Sequence, residues 1–205
     1  MLGGRQVNTT AQKFVNKLSK EQVIVNLGSG TKSLGSHVIN VDFFPFSIVD
    51  VVAQAEDLPF KDKSVDAIVC DNVLEHVKKP EAVIQEITRV LKSGGLVYIG
   101  VPFIIQYHSS PNDFYRWTTE GLRDLMVEFE EVELKIACGP TSAMTTILGE
   151  WFAIVLSFNF NFLYNFWIVV FTAMLAPVKL LDYIFSHYRK AENIAYGFYF
   201  IGKKN

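Results

Sequence analysis

The sequence has few of the residues that mark disulfide-linked or nucleic-acid-binding proteins. It contains two cysteines among 205 residues, Cys70 and Cys138, and both lie within apolar runs. Such isolated cysteines are expected to be reduced packing residues, not a disulfide framework or a zinc site. The formal net charge is only −2, which argues against a strongly basic surface. No nucleic-acid partner is therefore expected.

Several catalytic and targeting signatures are also missing. No group of histidines, cysteines and acids has a spacing typical of metal ligands, so no metal is predicted. No Ser-His-Asp or Cys-His arrangement stands out. The first residues, MLGGRQVNTTAQKF, lack the apolar core of a signal peptide, which predicts a cytoplasmic protein. The length suits one ordinary domain, and we interpret residues 1–205 as such.

Residues 151–178 contain no charged residue at all. As one helix this stretch would be roughly 42 Å long, more than the roughly 30 Å of bilayer hydrocarbon. A single span would, however, place the last strand across the membrane from its own sheet. Asn159, Asn161 and Asn165 cluster near the middle of the stretch, and Pro177 interrupts its far end. We therefore predict a hydrophobic helical hairpin inserted over residues 140–190.

The role of this apolar hairpin stays open between three interpretations. Residues 151–178 make peripheral contact with a membrane or a lipid-linked substrate, pack as a lid on the domain, or form a homodimer interface. His187, Arg189 and Lys190 follow the stretch directly and suit anionic headgroups, which favours the membrane interpretation. The predicted location is then the inner face of the membrane.

Elsewhere, apolar strand-like runs alternate with amphipathic helices. The runs VIVNL, HVINV, SVDAIVC and LVYIGV read as strands, and PEAVIQEITRVLK and TTEGLRDLMVE read as helices. This alternation predicts an α/β fold: a Rossmann-like, seven-stranded, mostly parallel sheet with helices on both faces. The last two strands, which flank the apolar segment, break the alternation. We expect them to form an antiparallel edge, with the last strand antiparallel.

A glycine pair follows the first strand, and an acid ends the second. Gly28-Ser29-Gly30 lacks the third glycine of a dinucleotide site, and the following residues lack the Gly-Lys-Ser/Thr of a P-loop. S-adenosylmethionine has no phosphate, so it needs only bare backbone and a carboxylate for its ribose hydroxyls. Asp42 supplies such a carboxylate. The pattern favours S-adenosylmethionine, with a nicotinamide-dependent oxidoreductase as the alternative.

The segments VNLGSG, INVD, QAEDLPF, SVDAIVCDNVLEHV and EITRVLKSGGLVYIGVPF occur in an order that resembles class I S-adenosylmethionine-dependent methyltransferases. The resemblance is closest to the UbiE-like subgroup and covers roughly residues 20–138. It departs from the family at Asn26, where an acid is usual, and at Gln54, where an aspartate is common. It implies that the cofactor is bound by Asn26, Gly28, Ser29, Gly30, Asp42, Phe43, Gln54, Ala55, Asp71, Asn72 and His76.

The segment HSSPNDFYRWT follows the fifth strand and should overhang the methyl acceptor. Its candidate catalytic residues are His108, Asp113, Tyr115 and Arg116, with His108 as first choice and Asp113 as second choice of general base for a hydroxyl acceptor. The structural alternative is that Arg116 only pairs with Asp113. Similar segments occur in resembling methyltransferases associated with cell-surface polysaccharides, which implies a sugar or lipid-linked glycan acceptor. A degenerate cofactor-binding tether without catalysis is the other alternative.

Overall fold

The structure, a computed structural model, describes residues 4–205, with side chains from Thr10 onward. Seven strands form one sheet. They are β1 (Ile24–Leu27), β2 (Val38–Asp42), β3 (Val51–Val52), β4 (Val65–Asp71), β5 (Leu91–Pro102), β6 (Phe129–Cys138) and β7 (Gly197–Lys204). The helices are α1 (Gly4–Val15), α2 (Pro80–Val90), α3 (Thr119–Leu125), α4 (Pro140–Leu156), α5 (Asn161–Leu175) and α6 (Asp182–Phe185).

The strand order across the sheet is β3-β2-β1-β4-β5-β7-β6. Strands β1 to β5 pair with one another in parallel, whereas β7 is antiparallel to both β5 and β6. The predicted fold class is confirmed. The last strand does not take the outermost position, however, because β7 inserts between β5 and β6.

The sheet is packed on both faces. Val25 and Leu27 point to one buried cluster, and Ile24 points to the other, as the alternation of side chains along a strand requires. One face is covered by α2, through Val83 and Ile87, and the other by α1. Burying each such aliphatic side chain contributes about 1.5–3 kcal/mol, so the sheet is a rigid base for the residues at its edge.

The connection from β1 to β2 is unusually short for a parallel crossover. Residues 28–37 form turns and contain no helix. This connection is the place where a dinucleotide-binding fold would present a helix N-terminus to a pyrophosphate. Its form follows from the sequence, since only ten residues separate Leu27 from Val38.

Two antiparallel helices, α4 and α5, form what we call the hairpin. Residues 157–160 connect them, and Phe158 and Asn159 take positive φ values of 46° and 65° in this turn. The base of the hairpin is fixed by buried Asp182, whose carboxylate accepts hydrogen bonds from the backbone N–H groups of Thr141 (2.7 Å) and Ser142 (2.9 Å). That carboxylate caps the N-terminus of α4 from a distant part of the chain.

The outer part of the hairpin has little contact with the sheet. None of the residues Asn161–Leu175 is buried, and Phe162 and Val169 are 80% and 69% exposed. By length and composition alone, one helix among the described residues, the 25 residues Asn161–Phe185, is long and apolar enough to cross a membrane. The domain limits of 1–205 and 140–190 stay a prediction.

Candidate active site

The predicted site residues gather at the carboxyl ends of β1, β2 and β4. This edge contains the topological switch point between β1 and β4, where ligands of open α/β sheets bind. Two adjoining clefts open here, of about 410 Å³ and about 890 Å³, and we call them the smaller and the larger cleft. They share the wall residues Gly28, Gly30, Thr31, Asn72 and Ser110.

The glycine turn after β1 has a conformation that suits glycine. Gly28 and Gly30 have φ values of 68° and 54°, in the left-handed region. A Cβ atom at Gly28 would lie 2.2 Å from Cγ2 of Val73, whereas one at Gly30 would meet no atom within 4 Å. The backbone N–H groups of Gly28 and Ser29 both donate to the carbonyl of Val41, at 2.8 and 3.1 Å. The turn is therefore held against β2.

Asp42 connects this turn to the next loop. Its Oδ2 accepts a hydrogen bond from the Gly30 N–H at 2.7 Å, and its Oδ1 accepts one from the Phe44 N–H at 2.9 Å. The side chain lines the larger cleft, and the residue is 9% exposed. A carboxylate has about four lone-pair sites, so two remain for ligand hydroxyl groups.

Asn26 lies beneath the turn and lines the smaller cleft. Its amide Nδ2 donates to the carbonyl of Lys32 (3.0 Å) and to Oδ1 of Asn40 (3.1 Å). Both amide hydrogens are thus used within the protein, and Oδ1 is the polar atom left for a ligand. The side chain therefore supports the turn from below.

An apolar and amide-lined wall lies beyond Asp42. Phe43 is 57% exposed and borders the larger cleft together with Gln54 and Ala55. Two further rings, those of Phe44 and Phe46, line the same cleft, and neither was singled out from the sequence. A flat aromatic ligand group would find stacking partners here.

The end of β4 brings an acid and an amide to the centre of the site. Asp71 is partly buried and lines the smaller cleft, and burial raises the pKa of its carboxyl to about 7, although the charge of Lys32 opposes this shift. Asn72 donates to Oδ1 of Asp71 at 3.1 Å and has a positive φ of 56°. A Cβ atom at Gly100 would lie only 2.0 Å from Oδ1 of Asp71, so glycine in β5 makes room for this carboxylate.

Residues 108–118 form what we call the histidine loop. Asp113 accepts two hydrogen bonds from the Arg116 guanidinium and one, at 2.8 Å, from the backbone N–H of His108. The Arg116 guanidinium holds the pKa of the Asp113 carboxyl at about 2. Nδ1 of His108 lies 3.5 Å from Oδ2 of Asp113, and burial lowers the pKa of the imidazole. Asp113 and Arg116 therefore orient His108.

The four predicted catalytic residues do not occupy equivalent places. Within the described chain His108 lines the smaller cleft, whereas Asp113, Tyr115 and Arg116 line neither cleft. The hydroxyl of Tyr115 donates instead to the carbonyl of Lys78 at 2.9 Å, which fixes the loop to the segment before α2. Trp117 is buried in the core, and Arg116 pairs with Asp113 as the structural alternative states.

Glu75 is a residue that the sequence analysis missed. It is 0% exposed, and burial raises the pKa of its carboxyl to about 8. Neither carboxylate oxygen has a hydrogen-bond partner. Nε2 of His76 and Nε2 of His108 each lie 3.8 Å from its Oε1. The only signal was an acid adjacent to His76 in LEHV, because His108 is distant in sequence.

Comparisons with known proteins support this picture. Residues 23–99 match the family model described as a methyltransferase domain. Over 51 residues the chain is 45% identical to the uncharacterised protein MJ1123 of Methanocaldococcus jannaschii, and the match covers 25% of each chain. Over 49 residues it is 45% identical to thiol S-methyltransferase TMT1B of Rattus norvegicus, covering 23% of this chain and 20% of that protein. The matches thus span a quarter or less of these relatives.

Among solved structures, the fold is similar to that of phosphoethanolamine N-methyltransferase 2 of Haemonchus contortus in complex with S-adenosyl-L-methionine. The TM-score is 0.61 at 16% identity, and the superposition covers 96% of this chain and 52% of that chain. This likeness concerns the fold alone. Together, the family match and the fold confirm the resemblance to class I methyltransferases, while the UbiE-like subgroup stays a prediction.

Proposed function

We propose that this chain, whose residues 23–99 match the family model of a methyltransferase domain, is an S-adenosylmethionine-dependent methyltransferase. The observation that carries the proposal is the pairing of the Gly28–Gly30 turn with the Asp42 carboxylate at the switch point. The helix that a dinucleotide's pyrophosphate would require after Gly30 is replaced by turns. The nicotinamide alternative is therefore disfavoured.

The cofactor would extend across both clefts. Its methionine part would lie over Gly28, Ser29 and Gly30, and Asp42 would accept hydrogen bonds from the ribose hydroxyls. The adenine would lie between Phe43 and the wall formed by Gln54 and Ala55. The volumes, about 410 and 890 Å³, lie in the range of small-molecule sites.

The methyl-bearing sulfur would then face Asp71, Asn72 and His108, which line the smaller cleft together. In the reaction an acceptor oxygen forms a bond to the methyl carbon while the C–S bond breaks, and its electron pair returns to sulfur. Positioning supplies most of the rate. For a hydroxyl acceptor, His108 is the proposed base, since a lowered pKa keeps it neutral at pH 7. Asp113 is too weak a base at a pKa of about 2.

The proposed acceptor is a sugar or lipid-linked glycan intermediate of envelope biosynthesis, methylated on oxygen at the inner face of the membrane. Its support is the hairpin, whose side chains Phe162, Val169 and Met174 are 80%, 69% and 65% exposed. Exposed apolar surface of this extent marks an interaction site. Arg189 and Lys190 are also exposed beside it and suit anionic headgroups.

The experiment follows the labelled methyl group. The purified chain is incubated with S-adenosylmethionine labelled in its methyl group and with a membrane extract, and label is counted in the lipid-soluble and the aqueous fractions. We expect label in the lipid-soluble fraction that requires His108 and is lost in His108→Gln. A folded protein that binds S-adenosylhomocysteine but labels nothing in either fraction would instead support the tether alternative.

A further inference from the structure

Glu75, His76 and His108 form a group that we call the Glu-His cluster. The carboxylate of Glu75 is completely buried, and neither of its oxygens accepts a hydrogen bond. A buried carboxylate without partners is costly, and proteins normally compensate it by an ion pair or by a bound cation. The donor atoms of the three side chains lie within 4.8 Å of one another.

Both imidazoles present the same nitrogen to this carboxylate. Nδ1 of His76 lies 2.5 Å from the carbonyl of Asn112, and Nδ1 of His108 lies 3.4 Å from the carbonyl of Gln106 and 3.5 Å from Oδ2 of Asp113. With a proton on each Nδ1, both Nε2 atoms carry a lone pair, and each lies 3.8 Å from Oε1 of Glu75. Histidines that ligate metals are oriented in this way, by an oxygen that accepts from the other ring nitrogen.

We propose that the Glu-His cluster binds one divalent metal ion of the zinc type, through Nε2 of His76, Nε2 of His108 and Oε1 of Glu75. Two histidines and one glutamate are a known ligand set of catalytic zinc, which keeps its fourth position open. Tetrahedral zinc places its ligand atoms about 3.3–3.4 Å apart, given bonds of about 2.0–2.1 Å. The two distances of 3.8 Å from Oε1 need to shorten by only about half an ångström.

The charges around the cluster favour a cation. Glu75 experiences the charges of Asp71 and Asp113 as well as that of Arg116. The guanidinium of Arg116 is already paired with Asp113, at 2.5 and 2.7 Å. Asp71 and Glu75 are thus the carboxyl groups left without a guanidinium partner, and an added divalent ion would favour their ionised forms.

A bound ion would also act on the acceptor hydroxyl during catalysis. This consequence rests on the proposed function, whereas metal binding itself does not. His108 lines the smaller cleft, so the open metal position faces the place proposed for the methyl group. A hydroxyl bound there loses its proton to water more easily. Its oxygen then bonds to the methyl carbon, and the C–S electron pair returns to sulfur. With the ion bound, the Nε2 lone pair of His108 is occupied, so His108 would be a ligand, and water would accept the proton of the hydroxyl whose pKa the ion lowers.

The test measures metal binding in the absence of cofactor and acceptor. The full chain is stripped with a chelator, and Zn²⁺ is titrated by calorimetry, with Co²⁺ absorption reporting the coordination. We expect one equivalent with tetrahedral Co²⁺ bands, and at least 10-fold weaker binding in Glu75→Gln and in His108→Gln. The control His187→Gln changes an exposed histidine after α6 and should bind like wild type.

Two outcomes would overturn the proposal: no stoichiometric binding to the folded chain, or equal binding by wild type and both cluster variants, which would indicate adventitious ions. His76→Gln repeats the test if Glu75→Gln does not fold. Binding of S-adenosylhomocysteine is measured on the same samples. If wild type binds S-adenosylhomocysteine but no metal, the metal site alone is refuted, whereas failure of wild type to bind S-adenosylhomocysteine refutes the methyltransferase.

Discussion

At the scale of single residues, two glycines in one turn have different physical tasks. Gly28 is packed against Val73, so an added Cβ would clash at 2.2 Å, whereas a Cβ at Gly30 would point into open space. Both have positive φ values. A side chain at Gly28 would therefore disturb the packing of the folded protein. A side chain at Gly30 would instead extend towards the two clefts that this residue borders and would obstruct a ligand.

The two alanine variants should therefore separate stability from binding. In each variant, the left-handed backbone conformation of the alanine destabilises the folded protein by about 1–2 kcal/mol. Gly28→Ala adds about 1–3 kcal/mol of overpacking, so its free energy of unfolding in urea should fall further than that of Gly30→Ala. Gly30→Ala should stay folded and lose affinity for S-adenosylhomocysteine. Equal loss of stability in both variants would contradict this account of the turn.

The partly buried acid Asp71 predicts a pH dependence of stability. Its pKa rises from 3.8 to about 7 on folding because of burial. Between these values the folded protein keeps a proton that the unfolded chain loses, so the free energy of unfolding falls as the pH rises from 4 to 7. Asp71→Asn cannot titrate. With chelator present, we expect a smaller fall in the variant and greater stability than wild type at pH 8. Parallel pH curves would show that Asp71 ionises normally.

The sequence was sufficient for some site residues and not for others. Gly28 and Asp42 were predictable because the strand endings that carry them are local patterns. Glu75 was not, because its importance comes from burial and from a histidine of a loop 33 residues further on. Tyr115 was placed in the site on sequence proximity, yet it lines neither cleft, and its hydroxyl donates to the carbonyl of Lys78.

At the scale of elements, the hairpin is fixed at its base and exposed beyond it. Asp182 caps α4, and the side chain of Phe171 lies near Gly149 between the two helices. The residues farther out, among them Phe162, face solvent. Changing them should alter surface contacts and leave the sheet intact.

The double variant Phe162→Ser with Val169→Ser tests the proposed membrane contact. Both side chains are exposed, so the melting temperature should change little. We expect at least a 10-fold loss of binding to vesicles of phosphatidylglycerol and phosphatidylcholine, measured by co-sedimentation. Val127→Ser, at a site 77% exposed near α3, is the matched control. The membrane contact would be contradicted if wild type does not bind the vesicles. If wild type then elutes as a dimer and the double variant as a monomer, the hairpin is an interface for self-association.

Strand patterns predicted the parallel part of the sheet well, because β1, β2, β4 and the LVYIGV part of β5 are short apolar runs. The position of β7 was less predictable. Its alternation indicates a strand, but only pairing with both β5 and β6 shows that it lies inside the sheet. The alternation of Ile194, Tyr196, Phe198 and Phe200 predicts a strand from residue 194 onward, whereas the structure places Ile194 in a short 3₁₀ turn, Ala191–Ile194.

At the scale of the whole molecule, the fold brings three distant segments to one edge of the sheet. The glycine turn, the end of β4 and the histidine loop together line the smaller cleft through Gly28, Asp71 and His108. A rigid sheet beneath them keeps this arrangement without the ligand. Cofactor binding at this edge is therefore the central prediction, and it does not depend on the identity of the methyl acceptor.

The most direct measurement is calorimetric binding of S-adenosylhomocysteine, in mild detergent, to wild type, Asp42→Asn and the exposed control Asp124→Asn. Asp42→Asn removes one carboxylate acceptor from the ribose site. We predict micromolar binding by wild type and control, and at least 10-fold weaker binding by Asp42→Asn, about 1.4 kcal/mol. No binding by a folded wild-type sample, or equal affinity in all three proteins, would contradict the account.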